Sequence, residues 1–191
     1  MGQNIKHISK YQLTTIEKNR VRISESGVDE MKIGIISDTH DNLHNIRKAV
    51  NVFNQEKIDF LFHAGDFVSP FTAREIKNIS CPFIGVFGNN DGDKLFLTNQ
   101  FKDIGAIYPE PYKTSIDDKK IIMFHKNDVI ADLAKSHVYD VIIYGHTHHV
   151  DLYKEGKTTV INPGECGGWL TGKSTIAILE STDLNVRIIN L

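Results

Sequence analysis

Five apolar runs that each break into Asp, Asn or His constrain this chain more than anything else in it. "KIGIIS" runs into Asp38-Thr39-His40, "FLFHAG" into Asp66, and "PFIGVFG" into Asn89-Asn90-Asp91; "IIMFH" ends on His125, and "DVIIYG" runs into His146-Thr147-His148. A short, continuous apolar run of this kind is expected of a strand buried on both faces. Between the first three runs lie helical patterns. In "LHNIRKAVNVF", Leu43, Ile46, Val50 and Phe53 make one apolar stripe. "SPFTAREIKN" begins with Ser69 as an N-cap and Pro70 at the first helical position. The order is β-α-β-α-β, which implies parallel strands joined by right-handed crossovers.

The second half reads differently. "YKTSIDDKKIIMFH" suggests two strands around a turn at Asp117-Asp118, and "DVIADLAKS" a short helix capped by Asp128. "VDLYKEGKTTVIN" reads as a hairpin turning at Glu155-Gly156, and "STIAILES" and "NVRIIN" as two final strands. The expectation is a mixed α/β domain with two sheets packed face to face and helices outside. Residues 1–30 are polar, with weak periodicity among Ile5, Ile8 and Ile16. They are expected to form a flexible extension ahead of a domain spanning 31–191. Met31 directly precedes the first strand and admits a second start.

At 191 residues the chain is long enough for one domain with a real core. A net charge of −2 supplies no field that would draw it to nucleic acid or to an anionic membrane. No apolar stretch is long enough for a transmembrane helix, and residues 1–30 lack a signal peptide's apolar core. "MGQNIK" carries Lys6 where a myristoylation signal wants Ser or Thr. The two cysteines, Cys81 and Cys166, form no CxxC, which suits a reducing compartment. These readings point to the cytoplasm, and leave oligomeric state open, a homo-oligomer included.

In open α/β sheets, ligands bind beyond the carboxyl ends of the strands. The five strand ends would bring Asp38, His40, Asp66, Asn89, His125, His146 and His148 to one edge. Single D-x-H or H-x-H motifs mean little; their common placement at strand ends points to a shared metal site. Carboxylate, imidazole and amide oxygen suit Mn, Fe, Zn, Ni or Co. Seven ligands exceed one tetrahedral ion and suit two ions about 3.5–4 Å apart with a bridging carboxylate.

"SDTH", "GD", "GNND", a strand-end His and "GHTH" resemble, in order, the motifs of the calcineurin-like metallophosphoesterases. "NPGE" at Asn162–Glu165 fits the small YfcE-type archaeal and bacterial phosphodiesterases within that superfamily. The resemblance spans 31–191 and implies a four-layer αββα sandwich of two mixed sheets. It implies a metal-dependent phosphodiesterase with two divalent ions, Mn2+ foremost, with Ni2+, Fe2+, Zn2+, Co2+ and Mg2+ also compatible. Asp38, His40 and His148 would hold one ion, Asn89, His125 and His146 the other. Asp66 would bridge them, and a bridging hydroxide would attack phosphorus in a small phosphodiester. The superfamily also includes a retromer subunit of the same fold that acts mainly as an interaction scaffold. That is the alternative reading, and the complete ligand set speaks against it.

The chain departs from the family at two places. Asn90 stands where many relatives carry a histidine ("GNHD", "GNHE") that contacts phosphate and is a candidate proton donor to the leaving group. An amide can hydrogen-bond phosphate but cannot act as a general acid. Asp66, Asn89, Asn90 and Asp91 therefore make up the candidate catalytic set, with Asp91 orienting its neighbours. Lys126 stands where the family has glycine after the strand-end histidine; strained backbone or simple surface exposure is expected, ahead of a role in reaching phosphate. Elsewhere, His63 is expected to pack beneath the Asp66 turn, His44 and His149 to be solvated, Cys166 to be buried, Asn42 to cap a helix, and Asn162 and Gly164 to shape the loop beside the metals.

Overall fold

The computed structural model describes residues 30–191; the extension expected over 1–30 falls almost wholly outside them. Among the described residues, eleven strands form two sheets. The first contains β1 (Lys32–Ile36), β2 (Phe60–His63), β3 (Phe83–Val86), β4 (Gly105–Tyr108), β10 (Thr175–Glu180) and β11 (Val186–Asn190), in the order β11-β10-β1-β2-β3-β4. The second contains β5 (Tyr112–Ile116), β6 (Lys119–Met123), β7 (Val141–Ile143), β8 (Val150–Glu155) and β9 (Thr158–Pro163), in the order β5-β6-β7-β9-β8. Strands β1, β2 and β3, which lead into candidate ligands, are mutually parallel, as are β6 and β7; β10, β11, β5 and β8 pair antiparallel. Both sheets are mixed, as expected.

Helix α1 (Leu43–Glu56), a 3-10 turn at Pro70–Thr72 running into α2 (Ala73–Ile76), and α3 (Lys94–Phe101) belong to the first sheet's outer face; α4 (Ile130–Lys135) belongs to the second's. Strand periodicity of two sorts side chains between the layers. In β1, Ile33 and Ile35 join Phe62, Val86, Met123, Ile143 and Ile161 in the core between the sheets, while Ile36 joins Ile46, Val50 and Phe53 beneath α1. On the far side, Ile122, Ile142 and Val160 pack on Ile130 and Ala134 of α4. Three apolar layers thus separate four structural layers, α, β, β and α. Gly34 lets α1 approach closely: a Cβ there would lie 2.6 Å from Ile58 Cδ1 and 2.9 Å from Phe53.

Local signals fared unevenly. Asn42 caps α1 by accepting from Asn45 N–H, and Ser69 caps the 3-10 turn ahead of Pro70. Asp117 and Asp118 make the β5–β6 turn with φ of 48° and 61°. Asp128 does not cap α4; Val129 occupies the cap position with no side-chain bond. The β8–β9 turn falls at Gly156-Lys157, one residue later than expected. Helix α3 and strand β4 were not anticipated.

Candidate metal centre

Main-chain bonds bring the carboxyl ends of the two sheets together. Asp38 N–H donates to Gly65 O at 3.0 Å, joining the β1 and β2 loops, and Gly145 N–H donates to His125 O at 3.1 Å, joining the β7 and β6 loops. His125 Nδ1 lies 2.8 Å from Ala64 O, and His146 N–H donates to Asp38 Oδ2 at 3.0 Å; these two bonds cross from one sheet to the other. The backbone at the centre is strained. Asp38, His40, Asp66, His146 and His148 all take left-handed φ, of 50°, 41°, 60°, 70° and 62°. Such conformations cost about 1–3 kcal/mol each in a non-glycine residue and gather where function requires them.

Asp38 and Asp66 are buried at the middle of the cluster. Asp66 Oδ2 lies 3.5 Å from His40 Nε2 and 3.4 Å from His125 Nε2, between the two halves that the motifs imply. Asp38 Oδ1 lies 3.6 Å from His148 Nε2 and 3.8 Å from His40 Nε2. His125 Nε2 is 3.0 Å from Asn89 Oδ1. The rings of His40 and His148 stack at 5.0 Å, and His146 meets His125 edge-on at 5.1 Å. All seven expected positions therefore meet in one place, with Asn89 and His146 on its solvent side.

The donor set fits divalent cations. His125 Nδ1 is committed to Ala64 O, so its Nε2 lone pair faces the Asn89 amide oxygen: two acceptors that a cation between them would satisfy. His148 Nδ1 is likewise committed, to Glu165 Oε2 at 3.0 Å, leaving its Nε2 toward Asp38. His40 Nε2 is buried with no hydrogen-bond partner. Two groups of donors lie within 4.8 Å of one another, Asp38 with His40 and His148, and Asp38 with Asp66 and His125. Burial pushes the Asp66 pKa up, but His125 and Asn90 outweigh it and hold the carboxyl far below its usual value. The neighbouring Asp38 carboxylate raises the His40 pKa, against the effect of its burial, and Asp66 adds to the rise.

Around this cluster, polar side chains lock the loops. Asn90 donates to Asp66 twice, from its backbone N–H to Oδ1 at 2.8 Å and from Nδ2 to Oδ2 at 2.7 Å. Asp91 is buried and accepts from Gly88 and Val68 N–H at 2.7 and 2.8 Å, so it ties the Asn89 turn to the Asp66 loop. Asp41 gathers Ser69 and Thr72. His63 is buried against Phe67 and accepts from Gly65 N–H, so its other nitrogen donates to the Thr39 hydroxyl. Burial keeps its pKa well below the ordinary 6.5, helped by neighbouring His125. Asn162 donates to Gly145 O and Thr147 Oγ1, bracing the "GHTH" loop. Cys166 is buried, and burial pushes its thiol up to about 12.

Lys126 is exposed, one of the two outcomes expected of it, and its backbone is not left-handed, so the alternative of strain does not apply; its N–H and that of His125 both donate to Glu110 Oε2. The sequence reading assigns no part to Glu165, the last residue of "NPGE". It is buried, and its carboxylate accepts from His148 Nδ1, the N–H groups of Trp169, Leu170 and Thr171, and the Thr171 hydroxyl. A lone glutamate after a glycine turn gives no local hint of a histidine that precedes it by a whole hairpin.

Comparison with known proteins places this geometry. The chain is 45% identical over 165 residues to phosphodiesterase MJ0936 of Methanocaldococcus jannaschii, covering 84% of this chain and 99% of that one. Its fold matches the solved structure of an archaeal phosphodiesterase with a TM-score of 0.79 at 44% identity, over 84% of this chain and all of the other. It also matches Vps29 of Chaetomium thermophilum with a TM-score of 0.64 at 16% identity, over 84% and 95% of the two chains, a likeness of fold alone. Residues 31–184 match the model of the calcineurin-like phosphoesterase superfamily domain, and the chain belongs to that superfamily.

Proposed function

We propose that the protein is a phosphodiesterase working through two divalent ions. The observation that carries this reading is the position of Asp66 Oδ2, within 3.5 Å of one imidazole from each half of the cluster. Asp38, His40 and His148 would hold one ion, and Asn89, His125 and His146 the other, with Asp66 shared. Two ions held there would polarise a phosphoryl group and lower the pKa of bound water toward neutrality. The chain's own residues fix the arrangement: Glu165 and Ala64 O set the tautomers of His148 and His125, while Asp91 holds the Asn89 turn.

Asn90 sets the reaction's limits. Its amide directs Asp66 through two hydrogen bonds and offers no acidic proton to a departing alkoxide. Esters with good leaving groups are therefore preferred, and diesters over monoesters. The name of the M. jannaschii relative supports the diester reading. The scaffold alternative draws support from fold likeness only.

The test uses chelator-stripped protein, an aryl phosphodiester and its monoester. Mn2+, Ni2+, Mg2+ and Zn2+ are added back separately, with Asp66→Asn as control. Diester cleavage restored by metal and abolished in Asp66→Asn is expected. Metal binding without turnover of any ester would refute the proposal. Rates across a series of leaving groups should rise steeply as leaving-group pKa falls; a flat series would refute the role given to Asn90.

A further inference from the structure

Among the large apolar side chains left exposed in the described residues, Trp169 (63% exposed) and Leu170 (75% exposed) are tied directly to the metal centre. Trp169 is the chain's sole tryptophan. Its indole Nε1–H donates to the His40 carbonyl at 3.0 Å, and its backbone N–H donates to Glu165 Oε2 at 2.9 Å, the oxygen that also holds His148. Gly167, two residues before Trp169, is fixed from both sides. Gly167 N–H donates to Asp38 O at 2.9 Å, while its own carbonyl accepts from Asn42 Nδ2 at 2.7 Å and Asn45 Nδ2 at 3.1 Å. A Cβ on Gly167 would come within 3.0 Å of both Asp38 O and Trp169 Cδ1, so the loop lies hard against the Asp38–His40 turn.

Scattered exposed aromatics are ordinary on protein surfaces. This one differs in two respects. Its polar N–H is already satisfied within the protein, so hydration of the indole nitrogen does not account for its exposure. Its backbone is immobilised by the same carboxylate that orients a metal ligand, so little freedom is left to lose when a partner covers the ring. A rigid, open aromatic face beside a phosphoryl site fits a flat aromatic ring carried by the same substrate. Bases stack on such faces with little regard to sequence.

We propose that Trp169, flanked by Leu170, is a stacking platform for a nucleobase on the non-leaving side of the diester, which makes nucleotide-type diesters the preferred substrate class. This inference rests on the phosphodiesterase reading. The base would lie on the indole while the sugar spans to the phosphorus at the His40 and His148 half of the centre.

Two esters with one leaving group test it: methyl p-nitrophenyl phosphate and the p-nitrophenyl ester of thymidine monophosphate. The wild type should favour the thymidine ester through KM. Trp169→Ala should raise that KM about 5- to 150-fold, the loss of one base–aromatic stack, and collapse the preference over the methyl ester. Trp169→Phe should keep most of it. The sole tryptophan gives a readout independent of turnover: thymidine monophosphate should quench its fluorescence, and methyl phosphate should not. Equal losses on both esters would overturn the inference, because the indole would then only brace His40. Absence of selective quenching would overturn it as well. Hydrolysis of neither ester by wild type would instead overturn the phosphodiesterase reading, and the fluorescence titration would still decide whether the indole takes a base.

Discussion

Glu165→Gln separates the part Glu165 plays from that of a generic buried acid. The carboxylate collects five donors: His148 Nδ1, three backbone N–H groups and the Thr171 hydroxyl. Glutamine keeps the shape but turns one oxygen into a donor. If its NH2 faces Leu170 and Thr171, it opposes their N–H groups. If it faces His148, the imidazole must accept at Nδ1 and carry its proton on Nε2, where a metal needs the lone pair. About two charge-assisted bonds are lost either way, at about 1.5–3 kcal/mol each before relaxation. For a chain of this size each 1 kcal/mol lowers Tm by about 2–4 °C, so a fall of about 6–24 °C is expected. Metal affinity at the His148 half should drop about 10- to 100-fold, while the other half changes little. Calorimetric titration of Mn2+ into stripped, folded protein reads both affinities. Unchanged affinities in both halves would refute the assignment of the His148 tautomer to Glu165.

Other expectations follow from particular contacts. A Cβ at Gly88 would lie 2.1 Å from Asp66 Oδ1 and 2.4 Å from Asp66 N, so Gly88→Ala should displace Asp66 and abolish metal-dependent hydrolysis; near-normal rates would contradict the packing. Lys126→Gly should not stabilise the protein, because the lysine backbone is not left-handed; a rise in Tm would show strain where none is expected. The Glu165 carboxyl feels burial first, which raises its pKa, but His148 and Thr171 outweigh this and hold it below 4.5. A depressed folded pKa contributes stability that is complete above about pH 4.5 and is lost as pH falls through the folded value. The Tm gap between wild type and Glu165→Gln should therefore narrow in acid, read by melting curves from neutral pH downward; a constant gap would refute it.

The half of the chain that carries the candidate ligands was legible because strands buried on both faces must be apolar until they end, and here they end in Asp, Asn and His. The seven positions could be named before any coordinate. The segment from Lys94 to Tyr108 hid for the opposite reason. In α3, Leu95 and Phe96 are exposed while Leu97 and Phe101 are buried, so the apolar residues do not mark one face. Strand β4 is an edge strand that opens on Gly105, whose added Cβ would lie 1.9 Å from Phe83 O, and a glycine start is a weak strand signal. Asp128 misled because capping residues are common near helix starts, and only the actual first turn, at Ile130, shows which residue caps. Glu165 and Trp169 escaped the sequence reading because their hydrogen-bond partners, His148 and the His40 carbonyl, lie elsewhere in the chain. The first pairing forms at the open end of the β8–β9 hairpin, where Val150 lies opposite Pro163, and the second where the loop after β9 meets the end of β1.

In the proposed function, two ions act together around Asp66. The most direct measurement is to titrate Mn2+ into stripped protein while following electron paramagnetic resonance and diester hydrolysis in the same samples. The account predicts two ions per chain, a spin-coupled signal, and activity that grows with the second ion. Full activity at one ion per chain, with an uncoupled signal, would contradict it.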